Sequence, residues 1–574
     1  MISTKMTRFK KFALYFILSA INIFIVTSCA KVVSPSGGPK DVTPPKMIKS
    51  NPENNAINFN KKKIEITFDE FIQLKDVNQK LTVSPPLKEK PTIYLNGKTV
   101  VVELNNELRT NSTYSLNFAD AITDLNEGNV LSNFQFVFST GTYVDSLMLS
   151  GNICNAFDLK QSDQVLVMLY ETLADSAPLK VKPDYLSKTD ASGKFSILNI
   201  KPGRYQLFAL KDVNNNYIYD QANESIAFIN TLVTPHIIAK PDSTHKTTID
   251  TLALSLKLFD EDNKKQYISK TERPLRNKLT VCFNRPLFNN TLKISSLSFK
   301  SLENWGVLEQ TLNKDSATIW LSQENAINLD SLKLTFEYEK KDSTGSYFTK
   351  KDTIIFKYKE LQPSKKTDST GTKLTHNIAA TAFDLNKDIV IENPSPVLTF
   401  DANKIKLYQV VDTVETLVKI NIVKDSILAR KFHVKYNSLP EANYRLEVLP
   451  EAFIDIYKKT NDTLEVKYNT QRLEYYGNLF FVMQNISQPT IVQVLDSKNN
   501  IISEKHISTN CKITFDYLKP QKYVIKAIID QNANGRWDTG NYLKKAQPES
   551  VLFYKDQINM RSNWDIEQTW ILNN

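Results

Sequence analysis

The chain has 574 residues, of which 41% are hydrophobic and 23% charged, and its formal net charge is +10. One hydrophobic core cannot organise a chain of this length, so several domains are expected. Its lysines are scattered among acidic residues, with no basic block beyond Lys61–Lys63. This pattern indicates a solvated surface and argues against a nucleic-acid partner, which would need a clustered basic stripe.

The N-terminal 28 residues have the order of a lipoprotein signal peptide. A basic leader precedes the largely apolar run 12–26, and a lipobox-type Val-Thr-Ser-Cys ends at Cys29. This order predicts cleavage of residues 1–28 and attachment of lipid, such as palmitate, to Cys29. The alternative is a transmembrane anchor, but Ser19 and Asn22 interrupt the run and it is short for a spanning helix. Lipid would anchor the chain to the membrane without spanning it.

Residues 29–43 are rich in proline, glycine and serine, which predicts a flexible tether. After the tether the chain consists of short β-branched and aromatic runs separated by turn clusters. The clearest runs are 64–68, 99–104, 134–140, 205–210, 332–339, 352–359, 432–436, 444–449 and 523–530. Amphipathic helical patterns of useful length are missing, so the predicted fold class is all-β, with tandem β-sandwich domains.

An internal repeat sharpens this organisation. Residues 198–220 align without gaps on the segment that ends at Asp538, with Pro202 opposite Pro520. Further on, Glu-Ser-Ile-Ala-Phe from residue 224 echoes Glu-Ser-Val-Leu-Phe from residue 549. Two copies of one module are therefore expected, with two other β segments between them. The predicted boundaries are 44–142 for a first domain, 143–252 for the first copy, 253–360 and 375–472 for the two β segments, 361–374 for a linker, and 473–574 for the second copy.

The first domain resembles the bacterial Ig-like domain of S-layer and envelope proteins. The matching features are a Pro-Pro start, an Ile-x-Ile-x-Phe-Asp-Glu strand (64–70), a Tyr-x-Leu-x-Phe strand (114–118), Asp124 followed by a Gly-Asn pair, and a closing Phe-x-Phe-x-Phe-Ser-Thr (134–140). The resemblance implies a structural and interaction module without catalytic residues.

The repeated module resembles the carboxypeptidase-regulatory or prealbumin-like sandwich. The first copy has an Asp-x-Ser-Gly-Lys-Phe turn at Asp190 and a Pro-Gly-x-Tyr strand start at Pro202. The second copy departs from this pattern, because Gln521 replaces the glycine. The whole arrangement is similar to Ig-like lipoproteins of Bacteroidota-type bacteria. That resemblance implies attachment to the outer membrane, on its periplasmic or its surface face, and implies no enzymatic activity.

The two copies share a loop with the spacing of a calcium site. Calcium takes six to eight oxygen ligands, commonly from alternate positions of a tight loop. In the second copy the donors would be Asp530, Asn532, Asn534, the Arg536 carbonyl, Asp538 and Asn541, and in the first copy they would be Asp212, Asn214, Asn216, the Ile218 carbonyl, Asp220 and Asn223. With two carboxylates each, such sites would be weak and structural, and no cofactor is required. The alternative is a plain polar turn, since Asn and Asp dominate turns.

A second recurrent pattern is Asp, then Ser or Thr, then a small, aliphatic or Thr residue. It occurs at Ser146, Ser176, Ser243, Thr251, Ser316, Ser331, Ser343, Thr353, Ser369, Thr413, Ser426 and Thr463. The pattern resembles the O-glycosylation acceptor of Bacteroidota envelope proteins, and it is also typical of a turn that leads into a strand.

No catalytic signature is visible in the sequence. The five histidines share no spacing, and the chain has no His-Glu-x-x-His, Gly-x-Ser-x-Gly, phosphate-loop or Cys-x-x-Cys motif. Besides Cys29, three cysteines remain, an odd number that favours free buried thiols over a disulfide framework.

These observations favour a non-catalytic envelope lipoprotein, an arm of sandwiches that binds an envelope protein or glycan. A hydrolase of envelope polymers, or an accessory subunit of an outer-membrane assembly or transport complex, is the alternative.

Overall fold

A computed structural model describes most of residues 40–572, with strands throughout. The gaps in the described residues are 106, 222, 238–253, 263–265, 289–291, 342–346, 360–371 and 380–381. The predicted signal peptide and Cys29 lie outside them. Within the described part, no helix is long and apolar enough to cross a membrane. The residues that the structure describes form three α-helices of four residues each: α1 (Val77–Lys80), α2 (Ala177–Lys180) and α3 (Glu324–Ile327).

The chain divides between Asp145 and Ser146 into two compact units, each described by itself. The first unit is a β-sandwich, called sandwich 1. Its strands are β1 (Met47–Asn51), β2 (Lys63–Phe68), β3 (Ile72–Leu74), β4 (Thr82–Ser84), β5 (Thr92–Asn96), β6 (Thr99–Glu103), β7 (Thr113–Asn117), β8 (Ile122–Asp124), β9 (Val130–Leu131) and β10 (Gln135–Ser139). They form the sheets β1-β2-β6-β5, β10-β7-β4 and β3-β8-β9. Alternation in β2 buries Ile64, Ile66 and Phe68 in the core, as a strand with one covered face requires.

The second unit contains four sandwiches, numbered 2 to 5 in chain order. Sandwich 2 has strands β11 (Leu147–Asn155), β12 (Leu166–Tyr170), β13 (Tyr185–Lys188), β14 (Lys194–Ile200), β15 (Gln206–Leu210), β16 (Ile226–Phe228) and β17 (Leu254–Leu258). Its two sheets have the orders β14-β11-β17 and β13-β12-β15-β16. The strand β17 runs parallel to β11, with Leu254 opposite Gly151.

Sandwiches 3 and 4 follow. Sandwich 3 has strands β18 (Ile268–Leu275), β19 (Lys278–Phe283), β20 (Lys293–Ser296), β21 (Gly306–Gln310), β22 (Ser316–Leu321), β23 (Ser331–Lys341) and β24 (Tyr347–Lys357). Sandwich 4 has strands β25 (Thr375–His376), β26 (Ile389–Glu392), β27 (Val397–Phe400), β28 (Ile405–Val411), β29 (Val414–Leu417), β30 (Asn421–Lys424), β31 (Lys431–Lys435), β32 (Asn443–Val448), β33 (Phe453–Asp455) and β34 (Leu464–Asn469). Each sandwich has its own cluster of buried apolar side chains.

Sandwiches 1, 3 and 4 share one topology. In chain order their main strands can be lettered A to G, and in all three A-B-E-D form one sheet and C-F-G the other. In sandwich 3, for example, the sheets are β18-β19-β22-β21 and β20-β23-β24. This is the arrangement of a constant-type Ig domain. The sequence predicted an Ig-like domain only for sandwich 1, so the structure adds two more.

Sandwich 5 repeats sandwich 2. Its strands are β35 (Gly477–Gln484), β36 (Thr490–Leu495), β37 (Ile501–Ile507), β38 (Cys511–Leu518), β39 (Lys522–Ile529), β40 (Val551–Phe553), β41 (Ile558–Asn559) and β42 (Asp565–Ile571). The strand orders β38-β35-β42 and β37-β36-β39-β40 match those of sandwich 2, and β41 pairs with β39 as an additional strand. The aligned tyrosines also form equivalent hydrogen bonds. The hydroxyl of Tyr205 donates to the Lys201 carbonyl (2.9 Å), and that of Tyr523 donates to the Lys519 carbonyl (3.0 Å).

Sandwiches 2 and 5 pack against each other although they are far apart in sequence. In sandwich 2 the core-side face of the sheet β13-β12-β15-β16 is covered by the second sheet. The opposite face carries Met168 on β12, Phe208 on β15 and Phe228 on β16. Tyr542 of sandwich 5 covers this outer face, with its ring centroid 5.6 Å from that of Phe208 and 5.3 Å from that of Phe228. A sheet covered on both faces needs apolar side chains on both, which is why β12 is apolar throughout.

Other contacts join the remaining neighbours of the second unit. Arg430 of sandwich 4 pairs with the buried Glu309 of sandwich 3 (3.1 Å), which also accepts from the indole of Trp320 (3.0 Å). Asp384 of sandwich 4 accepts from the hydroxyl of Tyr476, at the start of sandwich 5 (3.0 Å). Each sandwich of this unit is therefore joined to another by buried side chains, a contact that the sequence did not predict.

Several predicted boundaries shift. The boundary between residues 252 and 253 falls one strand too early, because β17 completes a sheet of sandwich 2. The linker 361–374 ends too late, since Leu374 lies in the core of sandwich 4. Asp145 belongs to sandwich 1, where its carboxylate accepts from the Thr113 hydroxyl (2.8 Å). The tether 29–43 ends too late as well, because Asn129 donates to the backbone carbonyl of Asp41 (3.0 Å).

A glycine followed by asparagine begins the equivalent strand region of sandwiches 2 and 5, at Gly151 and at Gly477, and the steric need for this glycine can be tested. A Cβ on Gly151 would lie 2.2 Å from the Leu254 carbonyl oxygen of the parallel strand, and one on Gly477 would lie 2.7 Å from the Trp564 carbonyl oxygen. We expect Gly151→Ala to destabilise sandwich 2 by about 2 kcal/mol, the usual cost of overpacking. Ser196→Ala, an exposed change on the neighbouring strand, should cost less than about 0.5 kcal/mol. Thermal unfolding measures both, and equal effects would contradict the steric explanation.

Candidate functional site

The two loops with calcium-like spacing occupy equivalent places in sandwiches 2 and 5. The first follows β15 and leads to β16, and the second follows β39 and leads to β40. Each therefore connects two neighbouring strands of the sheet whose outer face is used for docking.

The second loop closes around its own polar side chains. The carboxylate of Asp530, which is buried, accepts from the backbone N–H groups of Asn534 (3.0 Å) and Gly535 (2.8 Å). The side-chain amides of Asn532 and Asn534 donate to the carboxylate of Asp538, at 2.6 and 2.5 Å. The two asparagine oxygens accept backbone N–H groups two residues further on, so both ends of each amide are used inside the loop.

The first loop has the same pattern. Asp212 accepts from the backbone N–H of Tyr217 (2.9 Å), and the amides of Asn214 and Asn216 donate to Asp220, at 3.2 and 2.8 Å. The left-handed backbone positions also match: φ is 58° at Asn215 and 56° at Ala533, and 66° at Tyr217 and 77° at Gly535. A glycine adopts this conformation without strain, whereas a tyrosine does not. The ring of Tyr217 packs against the buried cluster that contains Phe208 and Tyr542, and this contact offsets the strain.

A buried glutamate that the sequence analysis missed fixes each loop. Glu549 accepts from the backbone N–H groups of Gln531 (2.8 Å) and Asp538 (2.9 Å). Glu224 does the same for Val213 (3.2 Å) and Asp220 (3.1 Å). The sequence does contain a sign of these glutamates, because both copies have a Glu-Ser segment after the loop. Glu549, however, lies outside the twelve residues that a calcium loop comprises. Burial and the nearby Asp538 and Asp530 raise the pKa of Glu549 above its usual range.

The predicted calcium ligands are engaged in hydrogen bonds with one another or with the backbone of the loops. Amide nitrogens, rather than oxygens, point at Asp220 and Asp538, so the loops as they stand are hydrogen-bonded turns. Asn541 caps its own turn by accepting from the Lys544 backbone (2.9 Å), and Asn223 is exposed. One oxygen is left over: Oδ1 of Asp212 is buried and accepts no hydrogen bond from any described residue. Across the described chain, no three His, Cys, Asp or Glu side chains are grouped as metal ligands. Calcium binding stays a prediction.

The second loop has a structural role, because its second half and the residues directly after it dock on sandwich 2. The ring of Trp537 lies 5.0 Å from that of Phe157, and the Trp537 indole donates to the Glu549 carbonyl (2.9 Å). The Thr539 hydroxyl donates to the Asp260 carbonyl (2.6 Å). The Tyr542 backbone N–H donates to the buried carboxylate of Glu261. The loop therefore sets the position of the docking segment 536–547.

The predicted glycosylation positions are compatible with both interpretations. Ser243, Thr251, Ser343 and Ser369 lie outside the described residues. Six of the others are exposed and two are half-buried: Ser146, Ser331, Thr353, Thr413, Ser426 and Thr463 in the first group, and Ser176 and Ser316 in the second. Ser316 and Ser331 are the first residues of β22 and β23, as expected for a turn that leads into a strand. Glycosylation stays a prediction.

The structure also places the described cysteines and the adjacent acids Asp69 and Glu70. The three described cysteines are free; Cys154 is buried, and Cys282 and Cys511 are half-buried. Asp69 accepts from the backbone N–H of Lys46 (2.8 Å), so it holds the first strand of sandwich 1. Partial burial and the carboxylate of Asp124 raise the pKa of the neighbouring Glu70.

Comparison with known proteins identifies one segment of the chain. Residues 41–140 match the bacterial Ig-like domain family. Among solved structures, the chain is similar to BcpA, the major pilin subunit of Bacillus cereus, at 10% identity and a TM-score of 0.14, over 74% of this chain and 98% of the pilin.

Two further structures are the S-layer protein rSbsC (12% identity, TM-score 0.13, 90% of this chain and 67% of that one) and native alpha-2-macroglobulin from Escherichia coli (12%, 0.17, 51% and 97%). Likeness at these scores supports no functional inference. No curated protein matches the chain.

The role of the buried glutamates can be tested directly. We expect Glu549→Ala to destabilise sandwich 5 by about 2 kcal/mol, because two loop N–H groups lose their acceptor. Glu567→Ala is the matched control: it removes only an exposed ion pair with Lys512, worth less than about 1 kcal/mol. Thermal unfolding of the two variants compares them. A Glu549→Ala variant as stable as the control would show that the loop does not depend on this glutamate.

Calcium binding predicts a second measurable effect. We expect millimolar Ca²⁺ to raise the melting temperature of the full chain, because a cation would use the buried Oδ1 of Asp212 together with the Asp220 carboxylate. Asp212→Asn should reduce the shift, and Asp556→Asn, at an exposed position, should keep it. An unchanged melting temperature in the unmodified chain would leave hydrogen bonds as the only force that closes these loops.

Proposed function

We propose that the chain is a non-catalytic protein of the bacterial cell envelope, which acts by display and binding and is held to the outer membrane by lipid on Cys29. The observation that supports this most directly is the match of residues 41–140 to the bacterial Ig-like domain. Sandwiches 3 and 4 have the same strand order, so three of the five sandwiches share one interaction fold. The lipobox-type sequence before Cys29 supports the mode of attachment.

The chemistry of the described residues agrees with a binding role. The buried carboxylates described above have structural contacts. Glu549 and Glu224 fix loops, Asp145 bonds to Thr113 within sandwich 1, and Glu309 and Asp384 join neighbouring sandwiches. Binding would use what such sandwiches expose, namely end loops and strand edges. A partner would be an envelope protein or glycan. A role as accessory subunit of an outer-membrane complex is a special case of this proposal, and a stable co-purifying partner would identify it.

Lipid attachment is tested in the native host. We expect a membrane-associated, acylated protein from the unmodified gene, and an unprocessed precursor after treatment with globomycin, which blocks the lipoprotein signal peptidase. Cys29→Ser should abolish acylation, whereas Cys154→Ser should not affect it. Equal acylation of the Cys29→Ser variant, or no precursor with globomycin, would overturn the proposed attachment. Chemical crosslinking of the acylated protein in cells, followed by pull-down, then identifies the partner.

A further inference from the structure

The contact between sandwiches 2 and 5 combines an apolar surface with a buried ammonium group. Met168, Phe208 and Phe228 stand opposite one another on three adjacent strands and form a continuous row. Tyr542 lies on this row. Met168 is fully buried in the cluster that contains Tyr542, so opening of this cluster would give a reagent access to its sulfur.

The buried ammonium belongs to Lys526. In the repeat alignment Lys526 takes the place of Phe208, on the equivalent strand of the equivalent sheet in sandwich 5. Its side chain is 2% exposed, and its ammonium lies 3.1 Å from the ring centroid of Phe157 and 6.0 Å from that of Phe553. No described residue forms a hydrogen bond or an ion pair with this ammonium. Contact with aromatic faces compensates only part of the cost of removing an ammonium from water.

We propose that the contact between sandwiches 2 and 5 is a reversible clasp that opens because its closed form buries the ammonium of Lys526. On opening, the docking segment 536–547 leaves the row of Met168, Phe208 and Phe228, and Phe157 of sandwich 2 leaves the ammonium. The occupant of the row in the closed form is thus a segment of the same chain. Opening the clasp uncovers an apolar sheet face without unfolding either sandwich, since each has its own core.

The polar contacts of the clasp fix its geometry. Glu261 accepts from both the Tyr542 backbone and, at 2.8 Å, the Tyr219 hydroxyl of the first loop. Gly540 permits the close approach: a Cβ there would lie 2.6 Å from the ring of Phe259. At the rim, Lys545 pairs with Asp175 (2.8 Å). These contacts select one docked position, whereas the buried ammonium lowers its stability.

The clasp should respond to pH. Burial lowers the pKa of Lys526 to about 8 from 10.5, partly opposed by Asp158 across the contact. Asp158 itself pairs with Lys160 (3.3 Å). On the neighbouring strand, Gln493 is paired with Lys526 in the sheet. The side-chain amide of Gln493 donates a hydrogen bond to Glu504, which is also hydrogen-bonded to His506.

A lysine whose pKa is lower in the closed form holds its proton more readily in the open form. The closed form is therefore destabilised below pH 8 and gains stability as the pH rises from about 8 to 10.5.

Oxidation of native methionines by hydrogen peroxide measures the opening in the full chain. Met168 reports on the clasp, and Met483, fully buried in the core of sandwich 5, reports on unfolding of that sandwich. Peptide mass spectrometry follows both. We expect Met168 to be oxidised faster than Met483 at pH 7, and roughly tenfold more slowly at pH 9.5 than at pH 7.

Three variants complete the test. Lys526→Met should slow Met168 oxidation at pH 7 and remove its pH dependence, whereas Lys522→Met, at an exposed position of the same strand, should behave like the unmodified chain. Gly540→Val should speed Met168 oxidation at both pH values and leave Met483 unchanged. Equal oxidation of Met168 and Met483 in the unmodified chain, or a Lys526→Met variant with unchanged Met168 oxidation, would overturn the proposal.

Discussion

The burial of the outer sheet faces of sandwiches 2 and 5 is the constraint on which the arrangement of the second unit depends. An antiparallel sheet with a single covered face keeps polar side chains on the other, and most strands here do so. The strands β12 and β36 differ, because all of their residues are buried, including Gln493 on the outer face of β36. These faces need a cover, and residues 536–547 of the same chain supply it for sandwich 2. Sandwiches 3 and 4 lie between the two partners in sequence and are tied to their neighbours by Glu309 and Asp384.

The strand pattern predicted the fold class because each sandwich builds its core from local alternation. The internal alignment likewise predicted a repeated module, and the shared strand orders show why it was visible: Gly151 and Gly477 both allow a parallel strand to approach. Contacts between modules were harder to predict. A continuous apolar run such as 165–170 indicates burial on both faces, but periodicity does not reveal which distant segment provides the cover. The parallel strand β17 was assigned to the wrong sandwich for a similar reason, since sequence order does not show pairing across a sheet.

The loops illustrate a different limit. The spacing of Asp530, Asn532 and Asn534 correctly predicted side chains that converge on one turn. An aspartate oxygen, however, can accept a hydrogen bond from a backbone N–H or bind a cation. The residue type alone does not show which of the two it does. The glutamates decide how the loop is fixed. Glu224 lies one residue beyond the predicted window and Glu549 eight residues beyond it, so a motif of fixed length excludes both.

Duplication explains why two similar sandwiches form an asymmetric pair. If both copies kept an aromatic residue at the position of Phe208 and Lys526, each outer face would be equally apolar and could pair with itself. Lysine at this position in sandwich 5 makes self-pairing of that face costly, because two ammonium groups would be buried. The face of sandwich 2, in contrast, meets a segment whose Tyr542 matches its aromatic row. The same substitution therefore favours the contact between unlike copies and limits its stability, which links the specificity of the pair to its capacity to open.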